Sequence, residues 1–295
     1  MGSWRNGRAA AWLVSSAIAG VLASGCRGTP PVLTRLVDVR QHASNAHVEF
    51  AKAMEAANRA VMSDSDERSA EAAREARRAR HEVERSVAAL DPMLLSLGYR
   101  EDLRLFEEFK RRFDEYRRLD DEILGLAVEN TNVTAQRLSF GAATEAAAAF
   151  QKAVEKLADA AAPSETCRVE ALGQRAIAAL RQVQVLHAPH IAESDLPAMD
   201  RMEGEMTRAE ATARQSLEQI GKRVPGAATQ VDAARAALDR FDDVNREIVK
   251  LSRRNSDVNS LALSLGRKRE LAAACEDELR ALEEALATHR FGGTR

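Results

Sequence analysis

From about residue 33 onward, apolar positions recur at spacings of three and four, the period of an amphipathic helix. Phe50, Met54, Ala57 and Val61 share one face. Asp64-Ser65-Asp66-Glu67 then interrupts the pattern with side chains suited to capping a new helix. The second stripe runs through Ala72, Ala76, Ala79, Val83 and Leu90. It ends near Leu97-Gly98, where glycine can take the left-handed conformation that closes a helix. A third stripe carries Phe106, Phe109, Phe113, Tyr116, Leu119, Ile123 and Leu126. It is predicted to reach about Leu138 and break at Ser139-Phe140-Gly141, with a fourth helix over roughly 142–161.

The second half repeats this plan. Glu122-Ile123-x-x-Leu126-x-x-x-Asn130-x-x-Val133-x-x-x-x-Leu138-Ser139-x-Gly141 returns as Glu247-Ile248-x-x-Leu251-x-x-x-Asn255-x-x-Val258-x-x-x-x-Leu263-Ser264-x-Gly266, 125 residues later. The match runs on into Ala147-Ala148-Ala149 and Ala272-Ala273-Ala274. Two four-helix units follow, over residues 33–163 and 166–292, joined at Ala162-Pro163-Ser164. Heptad spacing along Met199, Met202, Met206, Ala209 and Ala213, and along Phe241, Val244, Ile248 and Leu251, gives shallow coiled-coil-like crossing angles. The expected fold is all-α: two tandem, elongated, antiparallel four-helix bundles.

Composition agrees, with aromatics at 4% and few glycines and prolines, as in long helices packed through Ala, Leu and Val. The amino terminus stands apart. Arg5 and Arg8 precede an uncharged run of about 15 residues, and Ser24-Gly25-Cys26 follows. A basic start, a short apolar stretch and small residues at its exit describe a secretory signal over residues 1–25. The stretch is too short for an ordinary transmembrane helix, which needs about 20 apolar residues. The exit resembles a lipobox, which implies that Cys26 is lipidated and that residues 26–32 tether the body to a membrane. Ala23 stands where that motif prefers Leu, and ordinary cleavage after Gly25, leaving Cys26 a plain thiol, is the competing reading. With Arg27 rather than Asp after the cysteine, the outer membrane is favoured over the inner. The expected location is the periplasm.

Removing residues 1–25 leaves 41 basic and 45 acidic residues, a net charge of −4. Arg74, Arg77, Arg78 and Arg80 are interleaved with Glu71, Glu75, Glu82 and Glu84, a solvated face rather than the concentrated basic surface a nucleic acid needs. No phosphate loop, nucleophile elbow or His-Glu-x-x-His is present, so no enzyme chemistry and no cofactor are expected. Asn130 and Asn255 fall on the apolar stripes of their helices. Each reads as a register-fixing buried asparagine, as a residue near a helix irregularity, or as a polar anchor for a ligand held between helices. His187 and His190, in His-Ala-Pro-His, are the candidate metal ligands, with Glu193 and Asp195 just beyond. The methionine row reads as core filler. Cys167 and Cys275 lie at unmatched positions of the two units, and a disulfide between them is left open.

The segment 113–161 resembles the four-helix-bundle sensory domain of methyl-accepting chemotaxis receptors. Tyr116, Ile123, Leu126, Ala127, Asn130, Ala135, Leu138, Gly141 and Phe150 carry the resemblance, and residues 129–141 are its most distinctive part. Residues 33–112 fit the first two helices of that domain by period. The resemblance implies a helical bundle that binds a small molecule or a protein partner, often as a homodimer. It transfers no ligand contacts. Because no second membrane span or signalling coiled coil follows before Arg295, the expected role is that of a detached, membrane-tethered sensor working through a partner. The alternatives are a structural envelope spacer and, with less support, a metal-binding bundle.

Overall fold

The computed structural model of the protein describes residues 32–289 and contains ten α-helices among them. The signal segment, Cys26 and almost all of the tether lie outside the described residues. The first two helices, α1 (Val32–Val61) and α2 (Asp66–Leu97), form a hairpin. Its turn is built as the sequence expects: the Ser65 side chain caps α2 by accepting from the Arg68 amide, with Asp66 and Glu67 in the first turn. Gly98 closes α2 at φ 69° and returns its N–H to the Leu94 carbonyl. Next come α3 (Arg100–Glu129), the short α4 (Thr131–Leu138) and α5 (Thr144–Asp159), with a π-helical turn at Ser139–Ala143 between the last two. The second half holds α6 (Thr166–Ala192), α7 (Leu196–Arg223), α8 (Ala228–Arg254), α9 (Ser256–Leu263), a second π-turn at Ser264–Lys268, and α10 (Arg269–Thr288).

The chain does not reverse where the expected break lies. A π-turn widens a helix by about one residue per turn and leaves its direction nearly unchanged. The run α3–α4–α5 therefore continues as a bent rod of about 60 residues and about 90 Å. The run α8–α9–α10 passes in the opposite sense, with a kink at Gly266 in its π-turn. This corrects the expected make-up of the two units 33–163 and 166–292, because each gives its last helix to the other. The first core joins Val39, Phe50, Val83, Leu90, Phe106, Phe109 and Tyr116 to Leu271, Cys275, Leu279, Leu282 and Leu286 of α10. The second joins Phe150, Val154 and Leu157 of α5 to Val169, Ile177, Leu217, Leu238 and Phe241. One bundle is α1, α2, α3 and α10; the other is α5, α6, α7 and α8. The two stand end to end, and the long runs cross at a waist between them.

The first bundle is closed far from the waist by contacts between the start of α1 and the end of α10. The Arg40 guanidinium donates to the carbonyls of Leu286, at 2.6 and 3.0 Å, and of His289, at 3.0 Å, covering carbonyls that the helix end leaves open. His289 stacks on Tyr99 and bonds the buried Asp102 at 2.8 Å. Both ends of the helical body therefore lie at one end of the rod. Cys167 is exposed on α6 and Cys275 is buried in the first bundle; both are free. Burial in apolar surroundings pushes the Cys275 thiol up to about 12.

Leu279 tests the exchange. Truncation to Ala should cost about 2–5 kcal/mol. Hydrogen exchange should then show lost protection in α1–α3, far upstream in the chain, before any loss in α6 or α7. Loss confined to α6–α8 would contradict the exchanged arrangement.

Candidate functional site

The waist is built on two residues that leave the helical region of backbone space. Asn130 has φ 46° and ψ 42°, and Asn255 has φ 54° and ψ 37°. They are the two non-glycine residues with positive φ among the described residues. Asparagine tolerates this left-handed conformation better than most side chains. Each Asn ends one helix and starts the next, so α4 and α9 begin with open backbone donors inside the protein.

Those donors are satisfied across the pseudo-twofold axis relating residue i to i + 125. The Thr131 N–H donates to Ser256 Oγ at 3.1 Å, and the Ser256 N–H donates to Thr131 Oγ1 at 3.0 Å. The Asn132 N–H donates to Asp257 Oδ2 at 2.7 Å, and the Asp257 N–H to Asn132 Oδ1 at 3.2 Å. Arg254 reaches both carboxylate oxygens of Glu129 at 2.7 Å. Each short helix is thus capped by the other. Burial pushes the Asp257 carboxyl up, against the amides of Asn132 and Val133 that pull it down.

The symmetry is not complete. Asn255 Nδ2 donates to the Glu193 carbonyl at 2.7 Å, and its Oδ1 accepts from Asn132 Nδ2 at 2.7 Å. Asn130 Nδ2 is buried without a hydrogen-bond partner. Both asparagines therefore act as helix-break residues, and the Asn255 amide is engaged by the protein itself.

Both candidate metal ligands are buried beside the waist in the second bundle, and their four ring nitrogens all have protein partners. His187 places Nδ1 3.0 Å from Ser139 Oγ and Nε2 2.9 Å from Asn245 Oδ1. Asn245 turns its amide to Glu210, donating at 2.7 Å, so its oxygen faces His187 as an acceptor. That assigns the His187 proton to Nε2, with the Ser139 hydroxyl donating to Nδ1. Burial lowers the His187 pKa, against the Asn245 bond that raises it, and favours the neutral ring.

His190 lies 2.8 Å from Ser252 Oγ and 2.9 Å from Glu203 Oε1. The Ser252 hydroxyl itself donates to the His190 carbonyl at 2.7 Å. Burial works to raise Glu203, but its bonds from Arg253 and His190 outweigh that and hold it below the usual carboxylate range. Glu193 and Asp195 are spent on the turn after α6: Glu193 accepts from the amides of Ser194 and Asp195, and Asp195 caps α7 at Ala198. Among the described residues no group of three His, Cys, Asp or Glu is arranged to hold a metal ion.

At the matching level of the first bundle a different polar layer is buried. Asp120 accepts from Arg80 at 3.1 Å and is ion-paired with Lys268 Nζ at 2.6 Å. Lys268 Nζ also sits 5.5 Å from the Tyr116 ring, and burial pushes the Tyr116 phenol well above its usual value. Sequence reasoning passed over this layer and over Thr131, Asn132, Ser256 and Asp257. A signal for the second group was present: Asn-Thr-Asn-Val and Asn-Ser-Asp-Val put a hydroxyl and then an Asx side chain at the same two places after each aligned asparagine.

Two outcomes check this reading. Asn130→Gly should be close to neutral, because glycine accepts positive φ and no side-chain bond is lost. Asn130→Ala should cost about 1–2 kcal/mol, and Asn255→Gly should cost about 1–3 kcal/mol through lost buried hydrogen bonds, all by urea unfolding. Second, stability should fall as pH drops below about 6.5, the free imidazole value, because the unfolded chain takes up a proton that buried His187 refuses. His187→Gln should flatten that dependence between pH 7 and 5. Glu210 and Asp242, raised by burial, contribute with the opposite sign, adding stability at acid pH that is lost as pH rises through their folded values. An unchanged slope in the His187 variant would remove its assignment as the responsive group.

No curated protein matches this chain. Residues 33–163, which span three helices of the first bundle, the waist and the first helix of the second, match the family model described as a four helix bundle sensory module for signal transduction.

Proposed function

We propose that this is a membrane-tethered periplasmic sensor that binds a ligand in its helical body and passes on the bound state through a protein partner, catalysing nothing itself. The observation that carries this reading is the sensory-module match over residues 33–163. Tethering is supported by the lipobox-like Ser24-Gly25-Cys26 after a short apolar run, and the outer membrane is favoured by Arg27. No helix among the described residues is long and apolar enough to cross a membrane. With the start of α1 and the end of α10 at one end of the rod, a lipid on Cys26 places the first bundle next to the membrane and the second away from it. A spacer role is the rival reading, favoured by the two long bent runs, each of about 60 residues and about 90 Å, and the Ala- and Leu-rich cores.

Cys26→Ala should move the protein from the membrane fraction to the soluble fraction and abolish lipid labelling; an unchanged distribution would remove the tether. Thermal melting of residues 27–295 against amino acids, organic acids, aromatics and divalent metals tests the sensor. A ligand present at a hundredfold its dissociation constant adds about 2.7 kcal/mol. A reproducible shift with one chemical class supports sensing, and no shift across the panel supports the spacer.

A further inference from the structure

We propose that the groove between α5 and α8 on the second bundle is a docking site for an acidic amphipathic helix of a partner protein; this rests on the reading above that the protein works through a partner. The groove has a volume of about 820 Å³. Ala149 and Ala153 of α5 and Ala233, Ala236 and Ala237 of α8 line it, each exposed or half-buried. From Thr229 to Arg240 it follows α8 for about three helical turns, about 17 Å. Side chains this small let a further helix approach to about 8 Å between axes, the lower end of normal helix packing.

The charges bordering the groove set the sign of the partner. Lys152 and Lys156, one turn apart on α5, and Arg240 on α8 line it, and no acidic side chain does. None of the three has an acidic partner among the described residues. The groove beside the α1–α2 turn, by contrast, carries both signs in its wall, Arg59 and Arg68 with Glu71 and Glu75. Carboxylates along the edges of an incoming helix supply the missing counter-charges. Its small apolar residues then lie on the alanine floor, as in other helix-in-groove contacts. A second copy offering the same groove would set cation against cation, which opposes pairing.

The internal repeat shows the same face in a closed form. Buried positions of α3 and α8 correspond at the offset of 125, with Phe106, Phe109 and Phe113 matching Val231, Ala234 and Leu238. At that offset Ala233, Ala236 and Ala237 stand where the first bundle has Glu108, Arg111 and Arg112, and Ala153 where it has Glu278. Those four charged side chains pair among themselves: Arg111 and Arg112 with Glu108, and Arg112 with Glu278 from one helix to the other. The first bundle thus covers this face with its own ion pairs. The second replaces them with alanine and inverts the charge of the border, Lys152 and Arg240 standing where the first has Asp277 and Glu115. With a lipid on Cys26, this bundle is the one held away from the membrane, where a soluble partner reaches it.

The test is photocrosslinking in cells that make the full-length protein, with benzoylphenylalanine introduced at Ala233 or, on the sister face, at Glu108. A crosslink is expected at Ala233 and none at Glu108. Mass spectrometry should place it in a helical segment of another protein, with Asp and Glu flanking an apolar stripe. That segment, as a fluorescent synthetic peptide, should bind the purified protein one to one, and more weakly as salt rises. Lys152→Gln, Lys156→Gln and Arg240→Gln together should weaken binding tenfold or more, while Lys152→Arg with Lys156→Arg should keep it. Ala233→Glu with Ala236→Arg, which rebuilds the Glu108–Arg111 pair, should abolish it. Circular dichroism of each variant checks that the helices are kept. The site is overturned by no crosslink at Ala233, by a crosslinked segment without an excess of acids, or by a second copy of this chain or a nucleic acid as the crosslinked species. Unchanged peptide affinity in the triple Gln variant overturns it as well. A crosslink at Glu108 alone removes the groove while the partner-coupled sensor stands. No crosslink at either position, with a blank across the melting panel, brings down both.

Discussion

Everything above the level of single helices depends on the reciprocal capping of α4 and α9. Two helices begin in the interior, at left-handed asparagines, and buried amides without acceptors would cost about 1–3 kcal/mol each. Thr131 and Ser256 satisfy each other's amide, as do Asn132 and Asp257. The arrangement needs both copies of the repeat, because neither supplies its own acceptors. In this sense the chain is built like a dimer whose subunits have been joined and have traded their last helix.

The periodicity of three and four showed the helices, and the offset of 125 showed the duplication, because both are written in side-chain spacing along a single segment. The exchange was not legible. Hydrophobic pattern says which face of α5 or α10 is apolar but not which bundle receives it, and Phe150 and Cys275 occupy the same place in either pairing. The expected break was at Ser139-Phe140-Gly141; the structure breaks the helix nine residues earlier, at Asn130, and at the aligned Asn255, and makes Ser139–Ala143 and Ser264–Lys268 π-turns. At the waist, Asn130 and Asn255 were recognised from their place on an apolar stripe. Their hydroxyl and Asx neighbours were not, since their acceptors come from the other repeat. His187 and His190 were singled out by type and spacing, and sequence had no means of placing Ser139, Asn245, Ser252 and Glu203 around them.

The two bundles have kept the frame of the repeat and diverged in what they bury beside it. Aligned Asp120 and Asn245 each anchor the polar layer of their own bundle. The first pairs with Arg80 and Lys268 and leaves an open groove nearby. The second joins His187 through Asn245 to Glu210, with Phe241 stacked on the imidazole. The frame tolerates this because its own bonds lie at residues 129–132 and 254–257, on the waist itself. The sensory-module match over residues 33–163 covers that frame once and contains no part of α10.

Exchange of the last helices also orders the events of folding. As the chain grows from its amino terminus, α1, α2 and α3 are complete while the helix that covers their apolar faces is still unmade. Arg40 meets its Leu286 acceptor across 246 residues of sequence. The entropy of closing such a loop grows only slowly with length, so stability is little affected, but contacts this distant slow folding. The second bundle has its four helices within residues 144–254 and can condense first, leaving the first bundle open until α10 arrives. During that interval the faces bearing Phe50, Phe106 and Phe109 are exposed together, and the nascent chain is most open to aggregation or to capture by another copy's α10.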